Sequence, residues 1–250
     1  MLAVITGGQS KLGAVIAARL AAAGYDLALH MRTDRLPTGD LARIIDAAGV
    51  RCAVFAAELA DARAVESLMP RIAAHFGRVP TLLVNSASML SEGGWDQVDA
   101  DTLVEHFRVN TVAPLVLIRQ FAALVPPGSR GAVINILDQR IINPPIDQAS
   151  YTLSKLALAA ATRSLARAFA PTLRVNAIAP GLTIPGPEYA AAQVDYLADL
   201  MPLGRLPEPD EVAEAIVYLA GAEAVTGQIL FVDGGASLES YPRDFVHMGI

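Results

Sequence analysis

The chain has 250 residues, a net charge of -6 and 53% hydrophobic residues, with a pI near 5.2 and a mean hydropathy of +0.41. That length fits one large α/β domain, and the acidic balance argues against a general nucleic-acid role. No uncharged apolar run reaches the roughly eighteen residues needed to cross a bilayer, so Ala-rich helices and strands buried on both faces are expected to account for the hydropathy.

The N-terminus, Met1-Leu2-Ala3-Val4-Ile5, runs straight into a Gly-rich turn without a basic region or cleavage site, which predicts cytoplasmic residence. Cys52 is the single cysteine and sits in an apolar run, so a buried core thiol is expected. The four histidines, His30, His75, His106 and His247, have no metal-ligand spacing, and no metal site is predicted.

Leu2–Ile5 reads as the first strand, followed by Thr6-Gly7-Gly8-Gln9-Ser10-Lys11-Leu12-Gly13 and a helix of small and aliphatic residues to Gly24. In this strand–turn–helix context the missing side chains admit a pyrophosphate to the helix N-terminus, where free N–H groups and the dipole favour anions. The bland alternative is a tight turn with no ligand. The second strand, Asp26–Met31, ends in His30-Met31-Arg32-Thr33 with no acid until Asp34. A site for NAD ordinarily places a carboxylate here for the ribose 2′-hydroxyl. Arg32 and Thr33 instead offer a fork and a hydroxyl to a 2′-phosphate, which favours NADPH over the alternative of a basic surface turn.

A helix over Thr38–Ala48, a strand over Arg51–Ala56 ending at Glu58-Leu59, a helix over Ala62–Phe76 and a fourth strand over Thr81–Val84 follow. Asn85-Ser86-Ala87-Ser88 then supplies small residues against which a ligand ring can lie. The loop Ser91–Asp101, with Trp95, precedes one helix carrying His106 and Asn110. Asn110 stands among apolar residues, so its amide must be satisfied by tying down backbone or holding a water. Leu173–Ile178 is the sixth strand and ends at Pro180-Gly181. The proline-rich segment 181–209, with a helical stretch over Glu188–Leu200, is a candidate substrate lid. Glu208–Ala220 reads as a helix and Gln228–Val232 as the seventh strand.

The chemistry concentrates between Asp138 and Lys155. Ala132–Leu137 has the look of a buried fifth strand, with Asp138 at its C-terminal end. After a loop with Pro144-Pro145, Tyr151-Thr152-Leu153-Ser154-Lys155 opens a helix that runs toward Pro171. Tyr151 and Lys155 share a helical face. A nearby ammonium stabilises a phenolate and brings its pKa toward working range. Lys155 is one of only two lysines among 19 Lys and Arg, the other being Lys11. In a chain that otherwise writes positive charge as Arg, the compact ammonium of Lys155 marks a place where a fork does not substitute.

In order, Thr6-Gly7-x-x-x-Lys11-Leu12-Gly13, Asn85-Ser86-Ala87-Ser88, Asn110, Tyr151-x-x-x-Lys155, Pro180-Gly181 and Asp233-Gly234-Gly235 resemble the short-chain dehydrogenase/reductases over nearly the whole chain. The resemblance implies a Rossmann-type, doubly wound, seven-stranded parallel sheet in a single α/β domain, a nicotinamide cofactor and a homotetramer. It implies Tyr151 as the acid/base, Lys155 on the nicotinamide ribose and Asn110 on a proton-relay water. With the reading of the residues, it places NADPH against Gly7, Lys11, Leu12, Gly13, His30, Arg32, Thr33, Glu58, Leu59, Asn85, Ala87, Tyr151, Lys155, Pro180, Gly181 and Thr183.

Departures from the common family pattern narrow the resemblance. Most members have Ser where Asp138 stands, and many have Gly where Lys11 stands. The combination is similar to the pteridine reductases and the bacterial dihydromonapterin or alternative dihydrofolate reductases, which carry an Asp–Tyr–Lys trio. Their pterin-stacking aromatic is replaced here by Met89 and Leu90, and Trp95 is the candidate substitute. The substrate contacts expected are Ser88, Leu90, Trp95, Asp138 and Tyr151.

An ionised carboxylate cannot donate to a carbonyl and would repel a developing alkoxide. Reduction of a C=N bond puts a proton on nitrogen, and there a carboxylate beside Tyr151 can orient the phenol and share in proton delivery. Asp138 as a mere loop cap is the bland alternative. A ketone reductase of the same fold and a non-catalytic nucleotide sensor are the other readings.

Overall fold

A computed structural model describes residues 1–249. Seven strands form one parallel sheet: β1 (Leu2–Thr6), β2 (Asp26–Met31), β3 (Cys52–Ala56), β4 (Leu82–Asn85), β5 (Gly131–Ile136), β6 (Leu173–Pro180) and β7 (Ile229–Val232). Their order is β3-β2-β1-β4-β5-β6-β7, every neighbouring pair is parallel, and the order reverses direction between β1 and β4. In such a sheet the crevice beyond the strands' C-terminal ends is the natural ligand site.

Every residue of β1 is buried, and its side chains alternate between two cores. Ala3 and Ile5 pack with Ile16 and Leu20 of α1 (Lys11–Ala22) and with Ile216 of α8 (Pro209–Gly221). Leu2 and Val4 pack instead with Leu68 and Ile72 of α3 (Ala62–Phe76) and with Leu117 and Phe121 of α5 (Ala113–Leu124). Each such buried Leu or Ile contributes about 1.5–3 kcal/mol. Helices on both faces thus explain the hydropathy, and no described helix is long and apolar enough to cross a membrane.

Several expected elements shift. The helix expected to carry both His106 and Asn110 is divided: α4 (Ala100–Phe107) keeps His106, and Asn110 lies in a π-helical turn, Arg108–Val112, that leads into α5. The wider turn, with Pro114 tolerated near the start of α5, rotates Asn110 into the interior. α6 (Ala149–Ala168) begins two residues before Tyr151, and α7 (Ala191–Leu200) begins after Glu188, which lies in a turn behind Pro187. α2 (Gly39–Ala48) follows the expectation closely. Cys52 is only partly buried, and burial pushes its thiol up to about 11.

Candidate active site

The site begins with backbone. Gly7 follows β1 at φ +66, and a Cβ at Gly13 would lie 2.1 Å from the Gly7 carbonyl oxygen, so the first turn of α1 closes onto the loop only through glycine. Lys11 has φ 34, outside the regions L-residues prefer. That conformation costs about 1–3 kcal/mol, which fits a residue held there for a function. The buried ring of His30 fastens this turn to β2. Gly7 N–H donates to Nδ1 at 3.4 Å, and Nε2 donates to the Ala57 carbonyl at 3.0 Å. Burial lowers the pKa of His30, in keeping with a neutral ring that accepts on one nitrogen and donates on the other.

Two adjoining cavities flank the turn. One, of about 550 Å³, is lined by Gly7, His30, Arg32, Thr33, Glu58 and Leu59, and by Ala87, Ser88 and Leu90 on its far side. The other, of about 300 Å³, brings Lys11, Leu12 and Gly13 together with Ala87, Asp138, Tyr151 and Lys155, and is closed by Pro180, Gly181 and Thr183. Open backbone at a helix N-terminus, an exposed Arg32 fork at one end and the Tyr151–Lys155 pair at the other fit a dinucleotide laid across the reversal point of the sheet. Asn85 alone among the expected cofactor contacts lies off both cavities. It is buried at the end of β4, where its amide donates to Asn135 Oδ1 at 2.8 Å.

Asp138 caps the short turn Gln139–Ile141 and holds the phenol at once. Its Oδ1 accepts from Arg140 N–H at 3.0 Å, and its Oδ2 accepts from the Tyr151 hydroxyl at 3.0 Å. One carboxylate therefore both caps the turn and fixes the phenol. Tyr151 is 8% exposed. Burial and then the Asp138 charge hold its pKa well above the ordinary value, while Arg140 pulls it back. The Lys155 ammonium donates to the Ile136 carbonyl at 2.8 Å and lies 5.6 Å from the centre of the Tyr151 ring. Burial brings Lys155 down to about 8, against the pull of Asp138. Arg140 is thus a second cation beside the phenol, in addition to the Lys155 expected from the sequence.

Asn110 ties down the loop after β4. Its amide donates to the Met89 carbonyl at 2.8 Å and to Ser154 Oγ at 2.9 Å, and its Oδ1 accepts from Met89 N–H at 2.7 Å and Ser88 Oγ at 3.4 Å. Both donors and both lone pairs are spent, so the buried amide is satisfied by tying down backbone, as its apolar surroundings require. His106 supports the same loop, its Nδ1 donating to the Thr102 carbonyl and its Nε2 paired with Ser91 Oγ at 3.2 Å.

A third cavity, of about 270 Å³, opens beyond Asp138. Lys11, Leu90, Arg140 and Gln148 line it with Glu188 and Tyr189 from the segment after β6, and with Asp244, Phe245 and Val246 from the C-terminal tail. Trp95 does not reach it. That side chain is 57% exposed and lines a separate depression with Ile146, Arg243 and His247. The reason is that Trp95 sits in its own 3-10 turn, Trp95–Gln97, on the outer side of the loop. Arg140 and Asp244, unremarked in the sequence, are the residues that reasoning from motifs missed.

Residues 7–237 match the family model described as enoyl-(acyl carrier protein) reductase. A crystal structure of FolM alternative dihydrofolate reductase 1 from Brucella canis complexed with NADP superposes with a TM-score of 0.87, at 34% identity over 95% of this chain and 94% of that one. Pteridine reductase 1 of Leishmania tarentolae is 29% identical over 95% of this chain and 96% of its own. The human (3R)-3-hydroxyacyl-CoA dehydrogenase is also 29% identical, over 94% of each. With its sheet order, its glycine turn and its Tyr151–Lys155 pair, the chain belongs to the short-chain dehydrogenase/reductase family of NAD(P)-dependent oxidoreductases.

Proposed function

We propose that the chain is an NADPH-dependent reductase of a C=N bond in a pterin or dihydrofolate-like ring. The observation that carries this reading is the 3.0 Å hydrogen bond from the Tyr151 hydroxyl to Asp138, in the place where a ketone reductase needs a hydroxyl donor. Bound across the two glycine-flanked cavities, a reduced nicotinamide supplies a hydride. Lys155 reaches toward the ribose, and Arg32 and Thr33 take the 2′-phosphate. Tyr151, its hydroxyl fixed by Asp138, turns its proton from the carboxylate to the ring nitrogen as hydride arrives. Ser88 and Lys11 meet the polar edge of the ring, and the segment 181–209 serves as the lid.

The charge of the outer cavity supports a donor-rich ring over a carrier-bound acyl substrate. Four carboxylates (Glu92, Asp138, Glu188 and Asp244) face it against two cations, Lys11 and Arg140. That balance suits the amino and amide N–H groups of a pterin and disfavours the phosphates of an acyl carrier. FolM and pteridine reductase 1 among the similar proteins point the same way. A ketone reductase is the second reading, favoured by the Ser88 hydroxyl, which lines the same cavity as Tyr151 and is a candidate for the missing donor. Assembly as a homotetramer belongs to the same proposal and is read by light scattering.

NADPH oxidation measured across dihydrobiopterin, dihydromonapterin, dihydrofolate and a panel of ketones tests the reading. Turnover of one of the three reduced-ring substrates well above every ketone is expected. Preference for a ketone overturns it in favour of the second reading.

A further inference from the structure

The Asp138 carboxylate solves one problem and creates another. It directs the phenol, yet its charge makes the phenol harder to deprotonate, and Tyr151 must part with its proton in the reaction. The chain carries an answer two residues on. Arg140 is 8% exposed, and its guanidinium carbon lies 4.8 Å from the centre of the Tyr151 ring. Its Nε lies 3.1 Å from Asp138 Oδ1, with the N–H aimed off that line. The fork is held from behind by Gln148 Oε1 at 2.6 Å and by Asp244 Oδ2 at 2.7 Å. Gln148 takes the left-handed region at φ 54 just before α6, a strain consistent with a residue set to grip the fork.

We propose that Arg140 is a positioning residue that offsets the Asp138 charge at Tyr151, so that the phenol can release its proton beside a carboxylate. The proposal rests on the reading of Tyr151 as the proton donor. The groups facing the phenol are Asp138 from the end of β5, Lys155 from α6, Ser88 from the loop after β4, and Arg140 itself. When Tyr151 gives up its proton, the guanidinium 4.8 Å and the ammonium 5.6 Å from the ring centre balance the phenolate and the carboxylate. The tail carboxylate of Asp244 keeps the fork in place, and burial of Arg140 is compensated by Asp138, Tyr151 and Asp244, which together hold it charged.

The kinetic test uses whichever substrate the parent enzyme reduces. Arg140→Met is expected to lower kcat on the order of a hundredfold, the scale of one general-acid contribution, with KM little changed. Arg140→Lys, which restores a cation without the fork, should recover most of that loss. A merely structural Arg140 predicts the opposite, with Lys failing like Met and KM moving together with kcat.

A second readout does not depend on the substrate. With ¹³Cζ-labelled tyrosine and Tyr151→Phe to assign the signal, the phenol is titrated in Asp138→Ser and in Asp138→Ser/Arg140→Met. The midpoint should move to higher pH when Arg140 is lost. Identical titration in the two proteins overturns the proposal, whichever substrate the enzyme proves to use. Absence of turnover on the whole panel, with the midpoint shift present, instead faults the reading of the reaction and leaves Arg140 its role.

Discussion

The two ends of the cleft are built by different means. The glycine-turn end is mostly backbone: Gly7, Gly13 and the N-terminus of α1 shape a cradle from residues six apart in the chain. The Asp138 end is side chains from three distant segments, with Arg140 reaching Asp244 across 104 positions. A backbone cradle accepts any nucleotide pyrophosphate, so it defines a family. A buried ion cluster is specific about charge and proton position, so it defines a reaction. Substitutions at the two ends should therefore fail in different ways, binding at the first and turnover at the second.

The largest effect is expected at Lys155. Lys155→Arg should keep the fold and lose roughly 10²–10⁴ in kcat, since a planar fork does not fit where the ammonium donates to the Ile136 carbonyl. Retained activity would remove the ammonium from the account. Next comes Arg32→Ala at the opposite end. Loss of a charge-assisted hydrogen bond of about 1.5–3 kcal/mol should weaken NADPH roughly ten- to a hundredfold, with NADH hardly affected, as read by calorimetry. Equal loss for both cofactors would make Arg32 structural. Lys11→Arg should cost least, because a cation facing phosphate or ring edge needs less exact placement than one beside a phenol. Similar losses for Lys11→Arg and Lys155→Arg would erase the contrast between the ends.

Lys155 also gives the comparison a pH axis. With only two lysines in the chain, ¹³C-dimethylated protein shows two lysine signals, and Lys11→Arg leaves the one from Lys155. That signal should titrate near pH 8, because burial lowers the group from its ordinary 10.5 to about 8. The unfolded chain then binds the extra proton between those values. This group's contribution to stability therefore rises with pH from about 8 to 10.5 and is least below pH 8. A titration near the ordinary value would show an ammonium in contact with water.

What the sequence made legible follows the same division. The seven strands, the turn after β1 and the Tyr151–Lys155 pair are local patterns of period and spacing, and the structure places them where those patterns point. Asn110 was found because a lone amide among apolar residues must be satisfied, but the π turn that aims it gave no local signal. Trp95 was expected over the substrate because an aromatic was wanted there, and composition carries no direction; the turn at Trp95–Gln97 points it elsewhere. Arg140 was hidden by number. Among seventeen arginines it had no distinction until the tail folded back to bring Asp244 against it. Its only local hint was a charged residue between the apolar run ending at Leu137 and Ile141-Ile142.

The central claim is that Asp138 suits proton delivery to nitrogen and not hydrogen bonding to a carbonyl. Asp138→Ser measured against the parent on a dihydropterin and on a simple ketone, with NADPH saturating, tests it most directly. The account predicts that the parent reduces the dihydropterin in preference to the ketone, and that the Ser variant loses on the order of a hundredfold or more on the dihydropterin while gaining on the ketone. A parent that prefers the ketone, or a Ser variant that reduces the dihydropterin as well as the parent does, would contradict it.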